Sequence, residues 1–204
     1  MKKIQLYFTV LFAVLLTTNI LSQNESSPLT RFEADSKLWL DGTSTLHDYT
    51  ITAKEIISSL VVDVKKGSEA SKTELNISKL NLTIPVRVLD SGKESMDENM
   101  QEALLMEEHP DIIFQINSPI SFSVKASDSL KIKTKGSLTV AGTKKLLDLD
   151  LTVSRTGENN YTFTGEKKIL MSDFGIDPPS MFFGTLNTDD EVVVKFKVYL
   201  KLKS

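Results

Sequence analysis

The stretch EVVVKFKVYLKLK, residues 191–203, decides the fold class. Val192, Val194, Phe196, Val198, Leu200 and Leu202 are all apolar, while Glu191, Lys195, Lys197, Lys201 and Lys203 carry charge at positions between them. An apolar period of two over this length is a strand with one face on a core and the other in water.

The same template recurs upstream. Ile132, Leu138 and Val140 oppose Lys131, Lys133 and Lys135, and Leu147, Leu149, Leu151 and Val153 oppose Asp148, Asp150 and Thr152. Leu80, Leu82, Ile84, Val86 and Val88 form a further face, in which Pro85 lacks a ladder donor and so implies an edge or a bulge. Shorter matches fall at Ile112-Phe114-Ile116 and Tyr161-Phe163. The pattern predicts eight strands, at 35–44, 48–64, 74–89, 112–125, 129–141, 146–155, 160–172 and 190–203. Several exceed the usual ~5 to 6 residues, which favours a strongly curved or closed sheet. Turn residues such as Ala126-Ser127-Asp128 and Ala141-Gly142-Thr143 join them, and no crossover helices intervene, so the sheet is expected to be antiparallel. One segment breaks the period. Met96 to Glu108 repeats its apolar residues at three and four and stops before Pro110, which reads as an amphipathic helix lying across one end of the barrel. The fold class is therefore all-β, an eight-stranded antiparallel barrel with one α-helix in a long connection.

The amino terminus has a different character. Lys2 and Lys3 precede a mostly apolar run from Ile4 to Leu21, the layout of a secretory signal peptide over residues 1–22. An uncleaved anchor is the alternative, which the polar interruptions Gln5, Thr9 and Thr17-Thr18-Asn19 disfavour. Residues 23–34 then read as a flexible leader, and 35–204 as a single domain. Cleavage removes two lysines and no carboxylates, leaving 22 basic against 27 acidic side chains, a net charge of −5. Export is expected, with no membrane span left in the mature chain. That acidic balance, without any block of like charge, argues against nucleic acid as a partner. The absence of cysteine excludes disulfides, thiol catalysis and a lipid-modified cysteine.

Enzyme readings lack a constellation. The two histidines, His47 and His109, sit in no nucleophile motif, and His47-Asp48 on a strand would point to opposite faces. No metal-ligand spacing is present, and no Gly-rich loop leads from a strand into a helix, so neither metal nor cofactor is expected. What remains is the oily inner face. Alternation assigns Leu82, Ile84, Val86, Ile112, Phe114, Ile116, Leu138, Val140, Leu149, Leu151, Phe163, Phe196 and Val198 to the lumen, with His47, Met100 and Phe182 as candidates for its mouth. Such a lumen is either filled by its own side chains or hollow enough for one elongated ligand. At ~0.8 kcal/mol per methylene, about ten to fifteen buried carbons would supply roughly 8 to 12 kcal/mol gross, enough for a micromolar to nanomolar complex.

Four stretches together resemble the YceI-like family of exported lipid- and polyisoprenoid-binding proteins: WLDGTSTLHDYT at 39–50, SGKESMDENMQEALLMEEHPDIIF at 91–114, GSLTVAGTKKLLDLDL at 136–151, and MSDFGIDPP with FGTLNTDDEVVVKFKVYL within 171–200. The resemblance implies a lipocalin-like barrel holding an isoprenoid lipid or quinone-like amphiphile, without catalytic residues. A homodimer is left open. The alternative function is a periplasmic stress or envelope protein with a packed barrel that acts through surface protein contacts. Tyr49 stands where a tryptophan is frequent in the family. Lys144-Lys145-Leu146 replaces a more apolar turn, either to solvate a hairpin or to meet an anionic headgroup. His47 is read as a hydrogen-bonded residue at the barrel end or as a contact to a ligand head.

Overall fold

The computed structural model describes residues 29–66, 72–181 and 186–202. Its strands, in chain order, are β1 (Leu29–Thr30), β2 (Lys37–Ser44), β3 (Tyr49–Ala53), β4 (Ile57–Lys66), β5 (Lys72–Pro85) and β6 (Leu89–Asp90). The helix α1 (Glu94–Ala103) follows, then β7 (Asp111–Ile116), β8 (Ile120–Lys125), β9 (Ser129–Val140), β10 (Thr143–Arg155), β11 (Asn160–Leu170), β12 (Ser180–Met181) and β13 (Leu186–Lys201). All pairings are antiparallel, along the path β1-β4-β5-β7-β9-β10-β11-β13-β2-β3-β6, with β8 beside β5 and β12 beside β13. Both ends of the path are tied back into the sheet. Just past β1, Phe32 bridges to Leu200 of β13, and β6 continues from β5 through a single 3-10 turn, Val86–Val88. The result is a curled all-β sheet of the lipocalin-like type.

The strand count exceeds the expected eight because three long runs are broken and two two-residue strands, β1 and β12, are added. The run 48–64 is interrupted at Lys54-Glu55-Ile56, and 112–125 at Asn117-Ser118-Pro119. The run 74–89 ends as a ladder at Pro85, where the missing N–H stops the pairing and the chain enters the 3-10 turn. Inside β5 the inward residues shift from odd (Leu75, Ile77) to even (Leu80, Leu82, Ile84) across a bulge: Val61 pairs with Lys79 and Val62 with Ile77, leaving Ser78 as the extra residue. Leu29–Thr30 pair with β4, Glu33 donates its N–H to the Tyr199 carbonyl at 2.8 Å, and Phe32 packs its ring 6.2 Å from Phe163, so these residues are part of the sheet.

The helix is shorter than the predicted 96–108. It ends at Ala103 because Leu105 takes a left-handed φ of 54°, after which His109 donates back to the Leu105 carbonyl. Its start lacks a side-chain cap on the first amides, but Glu94 and Asp97 place negative charge in the first turn, and Asp97 accepts the Ser91 N–H at 2.8 Å.

The core divides along the barrel. At the end where β11 begins, Leu60, Leu75, Val153, Tyr161 and Leu200 are almost wholly buried, and Phe122 meets Tyr161 and Phe163 edge-on at 6.5 and 5.9 Å. Arg155 closes this end, donating to the Gly157 and Glu158 carbonyls and lying 5.9 Å from the Tyr161 ring centre. At the opposite end α1 lies across the sheet. Met100 is buried against Ile51, Ala53, Ile84, Val86 and Leu89.

Candidate functional site

Between the packed end and α1 the sheet encloses a cavity of about 840 Å³. Its walls come from the inward residues of nearly every strand, which is the direct consequence of one-sided alternation. Of the residues expected in the lumen, Leu82 and Ile84 of β5, Ile112, Phe114 and Ile116 of β7, and Leu138 and Val140 of β9 line it. So do Leu149 and Leu151 of β10, Phe163 of β11, and Phe196 and Val198 of β13. Val86 does not. It opens the 3-10 turn, where a period of two no longer applies, and its side chain is buried against Ile51, Leu89 and Met100. The expected alternatives of a filled and a hollow barrel both occur, at different heights. Phe32, Ile77, Ile120, Phe163 and Val198 belong to or abut the packed cluster and also form the cavity floor.

The mouth is polar. His47, Lys93, Ser95, Asn99, Glu102 and Asp177 sit on its rim, all exposed, next to the exposed Leu46. His47 lies on the loop between β2 and β3, which is closed by Ser44: its hydroxyl donates to the His47 carbonyl at 2.8 Å. Nδ1 of His47 is 3.0 Å from the Asp48 carbonyl, an acceptor, which assigns the proton to Nδ1. Nε2 then faces the Lys93 ammonium at 3.4 Å as an acceptor. The residue is thus both a bonded turn residue and part of the rim. Thr43 bonds Asp189, which ties this loop to the start of β13. Met100 lines the cavity from α1 with Met96, Ala103 and Leu104. Phe182 lies outside the described residues.

Lys145 pairs with Asp173 at 3.9 Å, and neither it nor Lys144 lines this cavity. Tyr49 covers Gly42, where an added Cβ would come within 2.3 Å of the phenol ring. Burial, with the Asp189 charge adding to it, pushes the Tyr49 hydroxyl above its ordinary pKa and keeps it a donor at the cavity wall.

Alternation also missed cavity residues. Leu38 and Leu40 of β2 and Ile51 of β3 belong to the same face, and their period of two was available to find them. Phe32 was hidden by the polar leader around it. Lys167 was missed because a lysine breaks the apolar pattern of Phe163, Gly165 and Ile169 on β11. Among the described residues no group of three or more His, Cys, Asp or Glu could hold a metal ion, and His109 lies beside Gly142, in a different turn from His47. No helix among them is long and apolar enough to cross a membrane.

Solved structures share this architecture. A polyisoprenoid-binding domain from Saccharophagus degradans implicated in plant cell wall breakdown matches with a TM-score of 0.64 at 13% identity, covering 86% of this chain and all of that one. BcnA from Burkholderia cenocepacia matches at 0.61 and 19% identity, over 81% of this chain and 96% of its own. A YceI protein from Campylobacter jejuni matches at 0.54 and 20%, over 76% and 85%. No curated protein sequence matches. The family model described as the YceI-like domain matches residues 30–200.

Proposed function

Because this chain belongs to the YceI-like domain family, we propose that it is an exported, non-catalytic lipid-binding protein that holds a long-chain polyisoprenoid or similar amphiphile in its lumen. Residues 1–22 act as the signal peptide, and the mature domain works in the periplasm or outside the cell. The observation that carries this reading is the apolar cavity of about 840 Å³ beneath a polar rim. At ~30 Å³ per water-sized group it has room for roughly two dozen heavy atoms, the bulk of a C15 to C20 tail with its head. The family relationship and the polyisoprenoid-binding domain of similar fold support the same ligand class.

Native mass spectrometry of gently purified protein tests it. A lipid adduct is expected, and delipidated protein takes up added prenol or quinone with a preference that depends on tail length. A single adduct-free mass, together with no tail-dependent uptake, would sink the proposal.

A further inference from the structure

Among the described residues, one strand residue along the walls of the lumen is charged. Lys167 lies on the inner face of β11, opposite Val194 of β13, and the β13 ladder continues from Val194 to Leu40 of β2. The other charged residues lining the cavity, Lys93, Glu102 and Asp177, are exposed on the rim, whereas Lys167 is half-buried within the wall. Its height follows from the register. It stands four positions above Phe163 on the floor, about 13 Å at the strand rise of ~3.3 Å per residue.

The ladder between β10 and β11 runs only as far as Leu151 and Gly165, so on the β10 side Lys167 has no hydrogen-bonded strand neighbour. Continuing that register places Leu149 beside Lys167, and Leu149 pairs in turn with Thr134, a second polar side chain lining the cavity at that level.

Lys168, on the outer face of the same strand, bonds Glu191 at 2.7 Å, and Lys195 bonds Asp41 at 2.8 Å. The outer-face Lys133 and Lys135 pair across strands with Asp150 and Asp148. None of the ion pairs among the described residues includes Lys167. Exposed outer-face lysines such as Lys131, Lys197 and Lys201 are outside the ion pairs too, so the decisive point is that Lys167 is half-buried on the apolar wall. An ammonium on an apolar wall requires a partner that accepts hydrogen bonds, and removal of water strengthens its attraction to a negative charge. A position where the local apolar pattern is broken without structural compensation is where function is expected.

We infer that Lys167 selects the head of the ligand: the lumen takes an amphiphile with one apolar tail and an anionic head, a phosphate or carboxylate, which meets the Lys167 ammonium inside the barrel. This rests on the proposed lipid-binding role of the lumen and adds the charge of the head to it.

The test uses the full chain, freed of lipid, with the neutral fluorophore N-phenyl-1-naphthylamine in the lumen. Dodecyl phosphate, dodecanoate and dodecanol compete at mildly alkaline pH, with inorganic phosphate as the head without a tail. Both anions should displace the probe at about tenfold lower concentration than dodecanol, the scale of one charge-assisted hydrogen bond. K167M should abolish the gap between the anions and dodecanol, while K167R keeps it. K167Q carries the same comparison should K167M fail to fold. Equal displacement by all three amphiphiles in the wild type, or a gap that survives K167M or K167Q, would overturn the inference while leaving the lipid-binding role intact. Displacement by inorganic phosphate as effective as that by dodecyl phosphate would also overturn it. Failure of the fluorophore and of every tail to enter would bring down the lipid-binding role itself.

Discussion

Gly165 sits directly opposite Phe196 in the β11–β13 ladder, and a Cβ there would lie 2.6 Å from the phenyl Cζ and 3.0 Å from the Asp150 carbonyl oxygen. The missing side chain is the space into which the ring folds, and the carbonyl limits any escape. Gly165→Ala is therefore an overpacking change, expected to cost about 1 to 3 kcal/mol, read as a lowered urea midpoint without a changed slope. Leu149 behaves oppositely. It is mostly buried, yet its side chain borders open volume. Leu149→Trp should keep a cooperative melt near that of the wild type while losing uptake of apolar probe; a collapse of stability instead would place the site in a filled core. The same residues mark what the sequence could tell. The direction of Leu149 followed from alternation alone. That Gly165 serves a neighbouring ring, and that Lys167 stands among oils on the inner face, depended on the identity of cross-strand partners, which a one-dimensional period does not contain.

At the scale of elements, the bulge in β5 holds the wall in register. Ser78 is the residue by which the inward set changes from odd to even, and side-chain direction flips with each single step along a strand. Deleting Ser78 should force either Leu75 and Ile77, or Leu80, Leu82 and Ile84, onto the wet face. The expected result is loss of the cooperative transition and of near-ultraviolet circular dichroism, whereas Ser78→Ala should be nearly silent. The strands themselves were legible because period two survives burial on one side. Their interruptions were not. Lys54-Glu55-Ile56 carries no turn signal, and the broken ladder at Pro85 was read as an edge or bulge when it is a strand end followed by a 3-10 turn. The helix was placed correctly but given an extra turn, since Leu105 in the left-handed region is a strain that composition does not announce.

For the whole molecule, acid is the informative perturbant. Hydrogen bonds from Lys195 and Thr50 hold the Asp41 carboxyl below the ordinary carboxylate range, that from Lys54 does so for Asp90, and those from the Ser172 hydroxyl and amide do so for Asp190. A carboxyl depressed in the folded state binds fewer protons than in the unfolded chain, so its contribution is complete above the unfolded value of roughly 4 and is lost as pH falls through the lower folded value. Stability should be flat from these groups at neutral pH and decline below about pH 4, as followed by urea midpoints; Asp190→Asn should make that decline shallower. Ligand acts at the same scale but with the opposite sign: a tail that fills the lumen at about 100 times its dissociation constant adds ~2.7 kcal/mol, seen as a rise in melting temperature.

The split between a dry aromatic base and an open upper chamber has one more outcome. Cohesion of the polypeptide is concentrated where Phe122, Tyr161, Val153 and Leu200 interlock, so the chamber above can change its upholstery without loosening the foundation. Related chains could thus trade one greasy cargo for another by swapping a few upper-storey side chains, and amide hydrogens near the base would be the last in the molecule to exchange with heavy water.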